Sequence, residues 1–298
     1  MASSLEQGPS NLQCIHKLII PKIKGSCYIK KPMPDSPNNH PAGDNSKAKD
    51  IFGDRAERYA ELDVFSEEKY YQPLLEMAAP RAGEAVLDVG TGTGLLALLL
   101  ARTTAEVVGI DVTPEMLAKA SDRIRAADAG NITLMEAEAS SLPFADGCFD
   151  LITSRTAFHH FEEPQKSVSE FYRVLKPGGR VVIEDVIGPE DDATRPIREH
   201  IEKLIDPSHV LAYRVSELRA MLRQAGFRIT GELMPETKGL SLDFFVKKDA
   251  RQNEAAVDEL TQIFRENLNR DLGGLIAHEV EGRLVLKWLI YIIAAAKS

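Results

Sequence analysis

From residue 51 onward, short apolar runs alternate with longer stretches whose apolar positions recur at helical spacing. AVLDV, VVGIDV, ITLMEA, FDLITS and RVVIED are rich in Val, Ile and Leu and too short for helices, so each predicts a β-strand. Between them, PEMLAKASDRIRAADA and QKSVSEFYRVL predict helices. Two more helices are predicted ahead of the first strand, IFGDRAERYAEL and SEEKYYQPLLEMAA, the second with Ser66 as its N-cap. Strands alternating with helices build βαβ units with right-handed crossovers. The expected fold is α/β, a doubly wound and mostly parallel sheet covered on both faces.

After Asp185 the alternation loosens. A helix is predicted from Thr194 to Ile205, another in SELRAMLRQAGF closed by Gly226, a strand in FRITGELM, and a helix in ARQNEAAVDELTQIFRENLNRDL. Helical insertions at about 190–212 and 250–272 are expected to cover the crevice that open α/β sheets form at the carboxyl ends of their strands. LVLKWLIYIIAAAK (Leu284 to Lys297) is short of the ~20 residues of a membrane span and contains Lys287, so it predicts a buried final strand. Residues 1–50 contrast with all of this. KKPMPDSPNNHPAGDNSKAKD is polar and proline-rich, with LIIPKI the one apolar patch nearby, which predicts a flexible tail ahead of a single domain over 51–298.

Composition narrows the partners. The formal net charge of −9 argues against binding along a phosphate backbone, so no nucleic acid is expected. Cys14, Cys27 and Cys148 form neither a metal cluster nor a disulfide framework, and MASSLEQGPS lacks the basic-then-apolar order of a secretory signal. A reduced, cytoplasmic setting is expected. No tight ligand spacing suggests a metal, although His159, Asp185 and His209 are conceivable ligands.

LDVGTGTGLLALLL carries the first candidate chemistry. Gly92, Gly94 and Ala97 fit the dinucleotide pattern G-x-G-x-x-A. Asp88 argues against that ligand, because a pyrophosphate beside a carboxylate in a low-dielectric crevice is repelled. A small zwitterion with an ammonium group suits Asp88 and the glycine turn better. The second strand ends in Asp111, which can accept ribose hydroxyls or cap the next helix. Met116 can lie along an adenine face or fill core.

LDVGTGTG, VVGIDVT, EAEASSLPFADGCFDLITS, FHHF and FYRVLKPGGRVVIEDV resemble, in order and spacing, the class I S-adenosylmethionine-dependent methyltransferases. The likeness is greatest to the ubiquinone/menaquinone C-methyltransferase-like branch of small-molecule enzymes and covers roughly Phe52 to Gly231. It implies a Rossmann-like sheet of seven strands with an antiparallel last strand, S-adenosylmethionine as cofactor, and a small-molecule acceptor. It also implies roles. Gly90, Thr91, Gly92 and Gly94 would let the backbone approach the methionine part, with Asp88 near its ammonium. Asp111 would bind the ribose, Val112 and Met116 would belong to the same cofactor site, and Glu138 and Ala139 would lie at the adenine edge. Glu138 stands where relatives usually carry Asp. Ser154 would lie by the methionine end, Tyr59 would close over the cofactor, and LKPGG would be a turn before the fifth strand.

Methyl transfer is an in-line displacement, so orientation supplies much of the rate, ~7–11 kcal/mol of the barrier. A base is needed only when the acceptor must lose a proton. SRTAFHHF supplies Arg155, His159 and His160, of which one histidine is expected to face the acceptor. VVIEDVIGPE supplies Asp185 and Glu190, and IEKLIDPSHV supplies Glu202, Asp206 and His209. Asp185 can orient a histidine or cap its loop. Leu204, Ile205, Phe244, Phe245, Ile263 and Phe264 suit a partly hydrophobic acceptor or ordinary helix packing. The alternative is an S-adenosylmethionine-binding enzyme of another class, such as a cyclase or decarboxylase, on the same fold.

Overall fold

AVLDV forms β1 (Ala85–Val89), buried along nearly its whole length, as a strand covered on both faces requires. The computed structural model describes residues 49–53, 56, 67–237, 239–242 and 254–298. The strands that follow are β2 (Glu106–Asp111), β3 (Ile132–Glu136), β4 (Phe149–Arg155), β5 (Leu175–Val186), β6 (Phe227–Leu233), β7 (Leu240–Ser241), β8 (Leu275–Val280), β9 (Arg283–Trp288) and β10 (Ile290–Lys297). Seven of them form one sheet in the order β3-β2-β1-β4-β5-β10-β6. The first five run parallel, and β10 is antiparallel to both of its neighbours, as expected.

The helices are α1 (Gln72–Ala78), α2 (Leu95–Ala101), α3 (Pro114–Ala126), α4 (Pro164–Val174), α5 (Arg195–Ile205), α6 (Val215–Gln224) and α7 (Glu254–Glu266). Strand alternation divides the core. Val86, Val107, Leu151, Val182 and Ile292 point to the layer holding Leu74 of α1 and Leu96 and Leu100 of α2. Leu87, Val108, Ile152, Ile183 and Ile293 point to the opposite layer, which holds Phe171 of α4 and Leu218 and Leu222 of α6. The order of connection reverses between β1 and β4, so a crevice opens beyond their carboxyl ends.

Four features differ from the sequence reading. LVLKWLIYIIAAAK is two strands in two sheets. Its first half buries one face only, whereas IYIIAAAK lies inside the main sheet. A small antiparallel sheet, β7-β9-β8, accompanies α7, so the C-terminal insertion is not purely helical. Its own core includes Leu260 and Phe264 of α7, Leu275, Leu286, and Ile201 of α5. LKPGG belongs to β5 as an irregular entry, where the pairing with β4 shifts register between Phe149 and Leu151 and Gly178 takes φ +77°. The predicted helix at 67–79 starts as a single 3₁₀ turn, Glu68–Tyr70, before α1.

Residues 49–53 and 56 are helical. The rest of the expected tail, with Cys14 and Cys27, lies outside the described residues, as do Tyr59, Ser66, Phe244 and Phe245. Among the described residues no helix is long and apolar enough to cross a membrane.

Candidate active site

The turn after β1 is held from below. Gly90 and Thr91 N–H both donate to the Ile110 carbonyl at 2.9 Å, which pins the loop to β2. Gly90 has φ +70°, and a Cβ there would lie 2.4 Å from the Ala157 Cβ. Gly94, at φ +79°, would set a Cβ 2.8 Å from that of Ala120. Both positions therefore require glycine for space as well as for conformation. Gly92 has φ +52° and nothing within 4 Å of where its Cβ would be, so its bare backbone faces the open crevice.

Asp88 is buried. It accepts hydrogen bonds from Thr91 Oγ1 at 2.7 Å and Thr153 Oγ1 at 2.8 Å. Burial pushes its carboxyl up to about 6, with the two hydroxyls opposing. Taking a carboxylate out of water costs several kcal/mol. Two neutral donors recover only part of that, so the site favours a cation. Gly109, opposite Asp88 in the β1–β2 register, makes room for Thr91, because a Cβ there would meet Thr91 Oγ1 at 2.9 Å. Thr153 and Gly109 carry no motif signal. Only strand pairing shows their part.

Asp111, at the end of β2, accepts the Gly92 N–H at 2.8 Å and the Thr113 N–H at 2.9 Å. It thus ties the glycine turn to the start of α3. Burial raises its pKa, opposed by these backbone N–H groups. Val112, Met116, Glu138 and Ala139 line the same cleft. Arg123 fixes the loop from behind, donating to the Thr93 carbonyl at 3.1 Å and to its hydroxyl at 2.9 Å.

The cleft holds about 1210 Å³ of atom-free space, part of it open to solvent. Asp88, Asp111, Glu138, Glu162 and Glu163 line it, and Arg155 is the one Arg or Lys among the described lining residues. That balance suits a positively charged nucleoside and disfavours a diphosphate. Arg155 lies over the Tyr71 ring, 4.1 Å from its centre, with Nε 2.9 Å from Glu184 Oε1. Ser154 is fully buried in β4, and its hydroxyl has no hydrogen-bond partner among the described residues. Neither Ser154 nor Gly94 lines the cleft itself.

The two histidines sit in a 3₁₀ turn after β4 (Phe158–His160) and do different things. His160 lines the cleft, edge-on to Phe52 at 4.9 Å between ring centres. Its Nδ1 lies 3.1 Å from the Ser208 carbonyl. A carbonyl only accepts, so Nδ1 carries the proton and Nε2 the lone pair. Burial, then the neighbouring His159, pulls the His160 pKa down to about 4. His159 lies behind it, rings 3.9 Å apart, with Nδ1 2.6 Å from Asp185 Oδ1. Burial opposes protonation of His159, but the Asp185 charge and hydrogen bond outweigh it and raise its pKa. Asp185 is held low by His159 and by two backbone N–H groups, against the effect of burial.

His209 is buried away from the cleft, Nε2 2.9 Å from Glu199 Oε2, with its ring centre 5.5 Å from that of His159. The loop carrying it clamps the histidine turn, since Val210 and Leu211 N–H both donate to the His159 carbonyl at 3.1 Å. Further back, Arg198 is fully buried, donating to the Gly273 carbonyl and pairing with Glu202, which also accepts from Trp288 Nε1 at 2.9 Å. Glu190 bonds Ser216 at the surface instead. Among the described residues, no group of three or more His, Cys, Asp or Glu side chains could hold a metal ion. Tyr71, Thr153, Ser208 and Glu199 were missed in the sequence because no spacing links them to the motifs.

Comparison with known proteins agrees with this geometry. Residues 87–183 match the methyltransferase domain family. A demethylmenaquinone methyltransferase of Thermus thermophilus is 33% identical, over 62% of this chain and 94% of its own length. The chain belongs to the S-adenosylmethionine-dependent methyltransferases. A second methyltransferase relative, the uncharacterised YcgJ of Bacillus subtilis, is 39% identical over 57% of this chain and 67% of its own. The crystal structure of YcgJ superposes with a TM-score of 0.67 at 29% identity, covering 76% of this chain and 97% of that one. This methyltransferase thus has its glycine turn and β2 acid inside the matched segment, whereas α5, the 206–212 loop and the small sheet lie beyond it.

Proposed function

We propose that this methyltransferase moves a methyl group from S-adenosylmethionine to a small organic acceptor with a carbon, oxygen or nitrogen nucleophile. The observation that carries the cofactor assignment to this cleft is the excess of carboxylates over cations around a bare-backbone glycine turn. Asp88 attracts the ammonium, and the backbone from Gly90 to Thr93, with Gly94 closing the turn behind it, lets the methionine part approach. Asp111 takes the ribose hydroxyls with its remaining lone pairs. Val112 and Met116 flank the adenine, and Glu138 with the Ala139 N–H meets its edge. Ser154 supports the strand end from within the sheet. When bound, the cofactor supplies a methyl group already activated on a sulfonium.

The chain's own residues align the acceptor and manage its proton. His160 keeps a lone pair on Nε2 because Ser208 holds the proton on Nδ1, so it serves as base for acceptors that must lose a proton. The His159–Asp185 pair backs it with no net charge when both are ionised. His209 and Glu199 hold the covering loop.

Titration calorimetry of the purified protein should show S-adenosylhomocysteine binding and no NAD binding, and the reverse result would overturn the cofactor assignment. Incubation with methyl-labelled donor and a panel of quinols, phenols and amines should yield labelled small molecule with matching release of S-adenosylhomocysteine. Label entering only protein or nucleic acid would overturn the acceptor class.

A further inference from the structure

Arg155 is the basic exception in an acidic cleft, and its donors are not spent. The side chain is 10% exposed at the end of β4. Its Nε forms an ion pair with Glu184 Oε1 at 2.9 Å but outside hydrogen-bond geometry, so among the described residues neither that buried N–H nor Glu184 Oε2 has a hydrogen-bond partner. The terminal nitrogens donate no hydrogen bond to any described residue. A guanidinium carries five N–H donors. Leaving them unused in a buried site is costly, unless a ligand takes them. Tyr71, which also lines the cleft, carries the guanidinium carbon 4.1 Å from its ring centre, a cation–π contact that helps hold the group in place.

Its position matches a particular ligand shape. Asp88 pairs in register with Thr153 and bonds its hydroxyl, and Arg155 lies two residues further along the same face of β4. An acid and a base thus lie side by side at the ends of adjacent strands. An α-amino acid bears its ammonium and carboxylate on one carbon, which is the arrangement such a pair reads.

We propose that Arg155 is the carboxylate-binding residue of this cleft, donating from its terminal nitrogens to the α-carboxylate of the cofactor's methionine end. Tyr71 is its platform. Glu184 is the counter-ion that keeps the guanidinium from repelling the sulfonium. The inference rests on the cofactor reading above and turns Arg155 from a catalytic candidate into a binding residue.

Calorimetry with two ligands tests it: S-adenosylhomocysteine, and 5′-methylthioadenosine, which keeps the nucleoside and thioether but lacks the amino acid. The double variant Arg155→Met/Glu184→Gln removes both charges together and leaves no buried ion unpaired. It should lose about thirtyfold in affinity for S-adenosylhomocysteine and keep its affinity for methylthioadenosine within about threefold. Arg155→Lys retains the charge and should lose less than about tenfold, again selectively. If the double variant does not fold, the Lys variant decides by the same selectivity. An equal loss for both ligands, or none for either, overturns the proposal. Failure of the unaltered protein to bind either ligand would instead remove the cofactor reading itself.

Discussion

On the β1–β2 side of the cleft, most partners are close in sequence: Thr91 bonds Asp88 three positions away, Thr113 bonds Asp111 two away, and Gly92 bonds Asp111 nineteen away. The exceptions are Arg123, 30 residues from Thr93, and Thr153, 65 residues from Asp88 but brought beside it by the pairing of β1 with β4. On the β4–β5 side, partners are remote. Asp185 is 26 residues from His159, Ser208 is 48 from His160, and Trp288 is 86 from Glu202. The first side presents backbone and short side chains and is set by one βαβ unit. The second is assembled from a strand end, a helix and a loop that must dock together. Changes on the first side should therefore act on cofactor affinity, and changes in the histidine turn and the groups that hold it on turnover of the acceptor, whereas Arg155 at the end of β4 goes with the cofactor.

The largest test of that division is His160→Ala. It should lower kcat about 10²- to 10⁴-fold with acceptors that lose a proton, while S-adenosylhomocysteine affinity by calorimetry stays nearly unchanged. A parallel loss of cofactor affinity would erase the distinction between the two sides. Next is Asp111→Ala, expected to weaken S-adenosylhomocysteine binding by about tenfold to hundredfold, since a charged hydrogen-bond acceptor contributes roughly 1.5–3 kcal/mol. Unchanged affinity would remove Asp111 from the ribose role.

A smaller effect is expected from pH. An ammonium ligand prefers ionised Asp88, whose carboxyl stands at about 6 in the free protein. Affinity should therefore rise as pH increases through 6 and level off above it, and Asp88→Asn should flatten the curve. Affinity that falls over this range would contradict the ammonium contact. The smallest effect is expected from Ser208→Ala. The His160 ring nitrogen is 3.1 Å from the Ser208 carbonyl and 3.4 Å from the hydroxyl, so the backbone keeps the tautomer and kcat should change less than about threefold. A hundredfold fall would show that the hydroxyl, not the carbonyl, sets the proton.

The same division explains what was legible beforehand. GTGTG with a preceding acid announces a turn and a cationic ligand because its meaning is local: positive φ at Gly90 and Gly94, and a carboxylate at the strand end. SRTAFHHF announced useful side chains but not their division of labour, because which histidine faces the cleft depends on where the 206–212 loop lands. LVLKWLIYIIAAAK read as one strand because apolarity alone does not reveal which sheet each half joins. The small β7-β9-β8 sheet went unread because its cohesion comes from Ile201, Leu260 and Phe264 on distant helices.

By itself, the sequence determined the strand periodicity, the mostly parallel sheet, the glycine turn and the acid ending β2. These follow from side-chain alternation and backbone conformation over a few residues. Only the tertiary structure decided that His160 rather than His159 meets the cleft, that Asp185 serves the hidden ring, and that Arg155 stands stacked with unspent donors. Those outcomes depend on which remote groups the packed chain brings to each buried hydrogen-bonding site, and burial and pairing are properties of the packed chain.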